Sequence, residues 1–141
     1  RCPARVCRRS ETSFRNPAIS FRRGGRVSAI EIVWPPSQLS GHAKGSWRGK
    51  AGLTAKHRAW AKAATLAAAI PALPASGDIG LRITFHPPNR RGDRTNYPNR
   101  LKAAIDGIAG ALGVNDRRFL PSYRFLEPDP LNPRVVVEVM A

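Results

Sequence analysis

Acidic residues are scarce in this chain. Nine Asp and Glu stand against 24 Lys and Arg, a formal charge of +15. Such an excess points to a polyanionic partner, nucleic acid or an acidic membrane surface. Cysteine is nearly absent: Cys2 and Cys7 are the only two, and both precede the first periodic segment. A lone Cys-x4-Cys pair is half a zinc site at most, so a disulfide scaffold and a zinc module are both excluded from the folded part, which suits a reducing cytoplasm. No apolar run approaches the ~18 residues of a membrane span. The arginines at the start are followed by no apolar segment, so a secretory signal is not expected. The one methionine is Met140.

Eight arginines and a single acid, Glu11, fall in residues 1–27, where no period persists. This stretch reads as a basic arm or upstream extension. It is either a solvated tail or a phosphate-binding arm. Outside it, sixteen basic residues still face eight acidic ones, and hydrophobic content is 42% over the whole chain. Residues 28–141 are therefore expected to form one basic domain with a core of its own.

Alternation predicts a first strand over residues 28–34, stopped by Pro35-Pro36. A polar loop is expected over residues 38–52, with His42, Lys44, Trp47, Arg48 and Lys50. Basic residues beside an aromatic can grip phosphates and stack on bases, or the loop is plain surface with Trp47 packed inward. Thr54 as N-cap and the Ala-rich residues 55–70 predict a first helix, ended by Pro71. Lys56, Arg58 and Lys62 are placed on or near its solvent side. Ile79, Leu81, Ile83 and Phe85 alternate in a second strand over 79–86. A second helix is expected from Asn96-Tyr97-Pro98, with Asn96 as cap, to Gly113 as a left-handed terminus. At 100° per residue its buried line is Leu101, Ile105, Ile108 and Leu112; Asn99, Lys102 and Asp106 form a line beside it. Strands over 122–126 and 135–139 follow, joined by a proline-rich, hairpin-like connection. The order β-α-β-α-β-β predicts a single α/β (α+β) domain with a mixed sheet covered by helices.

The acids gather in one region. Asp93, Asp106 and Asp116 lie within residues 90–116, together with Lys102. Mg2+ takes one or two carboxylates with phosphate oxygens and water, and a nearby lysine stabilises charge that develops in phosphodiester hydrolysis. Spacing alone leaves plainer readings open: Asp106 can pair with Lys102 at i,i+4, and Asp116 can serve a turn.

Several motifs in this region resemble the RusA family of Holliday-junction resolvases, over roughly residues 31–139. Trp34-Pro35-Pro36-Ser37 matches the family's W-P-P-S. His86-Pro87-Pro88-Asn89-Arg90-Arg91 is similar to H-x-P-D-R-R. Asp93-Arg94-Thr95-Asn96 is similar to R-D-x-D-N with its following lysine and K-A-A-x-D, here Lys102-Ala103-Ala104-Ile105-Asp106. Gly113-Val114-Asn115-Asp116 resembles G-x-x-D-D, one residue shorter. The resemblance implies an endodeoxyribonuclease that resolves four-way DNA junctions in recombination and repair, uses Mg2+ or alternatively Mn2+, acts as a homodimer and works in the cytoplasm of a bacterium or phage-infected cell. It implies catalysis by Asp93, Lys102 and Asp116, with metal held by Asp93 and Asp116 and Asp106 as an added acid. Arg90, Arg91, Arg94, Asn96, Lys44, Arg48 and Lys50 would contact the nucleic acid. Thr95 stands at the family's second aspartate, and Asn115 at the first acid of D-D. Three extra residues separate Asn96 from Lys102. Matching Asn99 to the family asparagine removes them but puts Asn96 and Pro98 at acid positions, so the Asn96 match is preferred. A second implied reading is a nucleic-acid-binding protein weakened or disabled at Thr95.

Overall fold

The strand expected at residues 79–86 is central to the sheet. In the computed structural model, which describes residues 28–41 and 43–140, β2 spans Ile79–His86. Ile79, Leu81, Ile83 and Phe85 are all buried, as the alternation requires. The expected arm, Cys2, Cys7 and His42 lie outside the described residues. Around β2 stand β1 (Ser28–Val33), β3 (Phe119–Phe125) and β4 (Arg134–Met140), in the spatial order β1-β4-β2-β3. β4 is antiparallel to both β1 and β2, whereas β3 runs parallel to β2. The sheet is therefore mixed, and the protein is a single α+β domain.

Two strand expectations change. β3 begins at Phe119 rather than at residue 122, because residues 119–121 pair with Ile79, Gly80 and Leu81. The link before β4 is not a hairpin: β3 and β4 are not neighbours, and the chain crosses β2 between them. Its prolines cannot donate to a ladder, which describes a loop but not the strand it leads to.

α1 runs over Trp47–Ala67, starting eight residues before the expected Ala55. Ser46, not Thr54, is the N-cap, and its hydroxyl accepts from the Gly49 amide at 3.4 Å. Six of the fifteen residues of the expected polar loop, 47–52, are thus helix. At its far end Ala69 adopts a left-handed φ of 49°, followed by Pro71. The inner face carries His57, Ala61 and Thr65, spaced four apart and buried. Ala61, fully buried on that face, lets a second helix approach closely.

That helix, α2, spans Lys102–Leu112. It starts later than expected, since the preceding residues form two 3-10 turns, Arg94–Asn96 and Pro98–Leu101. Gly113 closes it with φ 66°, as anticipated. Leu101 and Ile108 are buried along the expected line, and Ala103, Ala104, Gly107 and Ala109 are buried as well. The helix is covered on two sides because Gly107 lies against α1: an added Cβ there would sit 2.3 Å from the Arg58 carbonyl oxygen. Ile30, Ile32, Val135, Val137, Val139 and the four β2 residues form the sheet's share of the core. Their register partners all fall on one face, toward Ala61, Leu101, Ala104 and Ile108 of the helical layer. The other face keeps polar pairs, among them Arg82–Glu138 at 3.3 Å. Among the described residues no helix is long and apolar enough to cross a membrane.

Candidate functional site

An aromatic cluster fixes the approach to α2. Tyr97 is buried edge-on against Trp34, with ring centroids 4.9 Å apart, and 5.9 Å from Phe85, which stacks on Phe125 at 5.2 Å. Gly92 passes so near the Tyr97 ring that a Cβ would lie 2.4 Å from its hydroxyl. The backbone between Gly92 and Tyr97 is thereby held, and it carries Asp93.

Asp93 caps the first 3-10 turn. Its carboxylate accepts from the Thr95 amide at 3.0 Å, the Thr95 hydroxyl at 2.8 Å and the Asn96 amide group at 3.4 Å. The Thr95 hydroxyl bond holds the Asp93 carboxyl below its ordinary value. Asn96 does not cap α2 as expected; it donates to Asp93, and the helix start lacks a side-chain cap.

Lys102, at the start of α2, joins the other two acids. Its ammonium lies 2.9 Å from Asp106, one turn along, and 2.5 Å from Asp116, beyond the Gly113 turn. Arg58 of α1 reaches Asp106 at 3.8 Å. The bond from Lys102 holds the Asp116 carboxyl low, and Asp116 followed by Asp106 raises Lys102. All three groups remain in contact with solvent.

The structure thus brings Lys102, Asp106 and Asp116 together, while Asp93 is engaged in its own turn. Among the described residues no three His, Cys, Asp or Glu side chains are gathered where one ion could take them all. Two carboxylates do converge, and the point they share already receives a cationic nitrogen. Mg2+ commonly takes one or two carboxylates and completes its shell with water and phosphate, so Asp106 and Asp116 fit as a minimal donor pair.

Asn99 was not among the expected site residues, yet it lines both cavities beside Lys102. One, of about 410 Å3, also holds Asp116; the other, of about 300 Å3, holds Asp106 and Arg58. The helical line Asn99, Lys102, Asp106 was its sequence signal.

The expected nucleic-acid residues fall into two groups. Arg90 and Arg94 line a cavity of about 370 Å3 with Asp93 and Tyr97; Arg90 pairs with Glu127, and the adjacent Arg91 is exposed. Lys44 and Lys50 line another of about 370 Å3 at the start of α1, where Lys50 donates to the Ala43 carbonyl and Arg48 lies over the exposed Trp47 ring at 5.9 Å.

Fold and site together define a small, basic α+β protein with both helices on one side of a four-stranded mixed sheet and a lysine held between two aspartates. No family model matches the chain. It is 34% identical over 107 residues to an uncharacterized protein of Xylella fastidiosa (strain Temecula1 / ATCC 700964), a match covering 74% of this chain and 69% of that protein. The chain belongs to the same family as that protein.

Proposed function

We propose that this protein is a metal-dependent endonuclease of the RusA kind, acting on branched DNA. The observation that carries the reading is the convergence of Asp106 and Asp116 on Lys102, at the head of a helix in a basic domain. Asp106 and Asp116 would hold the divalent ion, and the ion would supply an activated water and neutralise charge on the leaving oxygen. Lys102 then answers the negative charge that develops on the phosphate. Asn99 provides an uncharged donor and acceptor at the same place. Asp93 acts as a positioning residue here, holding the turn that delivers Tyr97 and α2. Lys44, Arg48, Lys50, Arg90, Arg91 and Arg94 bind phosphates, giving steep salt dependence. Two symmetric cuts across a four-way junction call for a homodimer.

One observation favours a second reading, DNA binding without cutting. Among the described residues only two acids converge, and Thr95 spends its hydroxyl on Asp93. Cleavage of a synthetic four-way junction with Mg2+ or Mn2+, against a chelator, separates the two. The nuclease reading expects metal-dependent paired nicks, reduced at least a hundredfold by Asp116→Asn and little affected by Asp93→Asn. Tight, salt-sensitive binding with no nicks under any metal would establish the second reading. Nicks indifferent to Asp116→Asn would remove the site described above.

A further inference from the structure

The cavity of about 410 Å3 between β3 and the start of α2 has a use that phosphodiester chemistry does not require. We propose that it receives a single unstacked nucleobase, with Tyr123 as the stacking surface; the proposal rests on the DNA reading and specifies what part of the DNA enters that site.

Its volume falls within the range of small-ligand pockets, and its interior is apolar, with Ile83, Leu101 and Ile105 among its lining. Pro121 and Tyr123 of β3 complete it. β3 is an edge strand with only β2 beside it, and beyond the buried Phe119 its side chains are exposed. Tyr123 is 44% exposed although its register partner Ile83 is fully buried. Among the described residues Phe85 is the one aromatic ring it meets, tilted at 6.2 Å, and its hydroxyl makes no hydrogen bond. A flat ring presented in this way suits a stacking partner, and base–aromatic stacking tolerates any base.

The rim determines which ligand fits. Asn99, Lys102 and Asp116 are the polar residues lining the cavity. Lys102 is already matched by Asp106 and Asp116, and Arg58 lies 3.8 Å from Asp106, so the rim is a balanced ion-pair cluster with no cation left unmatched. The scissile phosphate stays at the rim with Lys102 and the other phosphates with the arginines and lysines outside; the apolar lining of the cavity has no charge to offer either. A neutral ring bearing amino donors is accepted. Asp116 accepts from an exocyclic amine, and the Asn99 amide, uncommitted among the described residues, both donates and accepts. Adenine and cytosine carry that amine, whereas thymine does not.

Fluorescence anisotropy with single strands of equal length and charge tests this, using oligo-dA, oligo-dC, oligo-dT and an abasic phosphate chain. The full chain should bind oligo-dA and oligo-dC about tenfold more tightly than the abasic chain, with oligo-dT between. Tyr123→Ala should remove that advantage while leaving abasic affinity and its salt dependence unchanged. Tyr123→Phe should keep it, and Asn99→Ala should bring oligo-dA and oligo-dC down to oligo-dT. Equal binding of base-bearing and abasic chains, or an unaltered advantage in Tyr123→Ala, overturns the pocket and leaves the DNA reading standing. Absence of binding to every strand and to the junction overturns both.

Discussion

Two glycines three residues apart in α2 should respond to alanine with opposite signs. In an open helix, alanine is favoured over glycine by roughly 0.5–1 kcal/mol, since glycine loses more backbone freedom on folding. Gly110 is exposed, and an added Cβ would meet nothing within 4 Å. Gly110→Ala should therefore stabilise the protein by roughly that amount. At Gly107 the added Cβ lies 2.3 Å from the Arg58 carbonyl oxygen and 3.1 Å from the Ala61 Cβ. That carbonyl belongs to the α1 backbone and cannot swing aside as a side chain would. The two helices must part until the contact exceeds 3.0 Å, and Ala61, fully buried between them, loses its packing. Overpacking of this kind costs about 1–3 kcal/mol, which outweighs the propensity gain. Urea unfolding of both variants should show a lower midpoint for Gly107→Ala and a higher one for Gly110→Ala, with similar slopes. If Gly107→Ala gains stability as Gly110→Ala does, the helices do not meet as described.

Gly92→Ala should destabilise by about 1–3 kcal/mol in the same assay, because its Cβ would press on a Tyr97 ring that Trp34 and Phe85 hold in place. Ala69→Gly should raise the melting temperature, since Ala69 holds a left-handed φ of 49° that costs an L-residue roughly 1–2 kcal/mol; an unchanged or lower value would show that the strain is absent. Carboxyl-detected NMR titration should place Asp116 below its ordinary 3.8 and move it back up in Lys102→Met. The sign follows from linkage: a depressed carboxyl stabilises above the unfolded value and loses that contribution as pH falls through the folded one, while the raised lysine contributes below 10.5 and loses its share as pH climbs through its folded value. The Lys102–Asp116 pair should accordingly hold across the neutral range and weaken at both extremes.

Local patterns were legible where burial enforced them. The alternation at Ile79–His86 gave both ends of β2, and Gly113 announced the end of α2, because one buried face and one left-handed residue leave little choice. The start of α1 was hidden: Gly49 and Gly52 lower helix propensity, and the polar residues between 44 and 50 read as loop until Ser46 is seen capping them. The position of β4 between β1 and β2 was beyond any local pattern, since strand partners far apart in sequence leave no periodic trace. In the site, i,i+4 spacing revealed the Lys102–Asp106 pair. The arrival of Asp116 depends on the path after Gly113, and the engagement of Asp93 depends on whether a carboxylate turns inward to its own amides, which residue type alone does not say.

The strand order also sets a schedule for synthesis. β4, the last strand in the chain, is the one that separates β1 from β2, with Ile30 and Ile83 both registered on Val137. While the polypeptide emerges from the ribosome, β2, α2 and β3 can assemble, but β1 has no ladder to join. Until residues 134–140 are free, a gap one strand wide stays open beside β2, lined by its unpaired amides and carbonyls. Such long-range closure slows folding and leaves an adhesive edge exposed meanwhile. A nascent chain stalled before Arg134 should therefore be the species that most needs a chaperone.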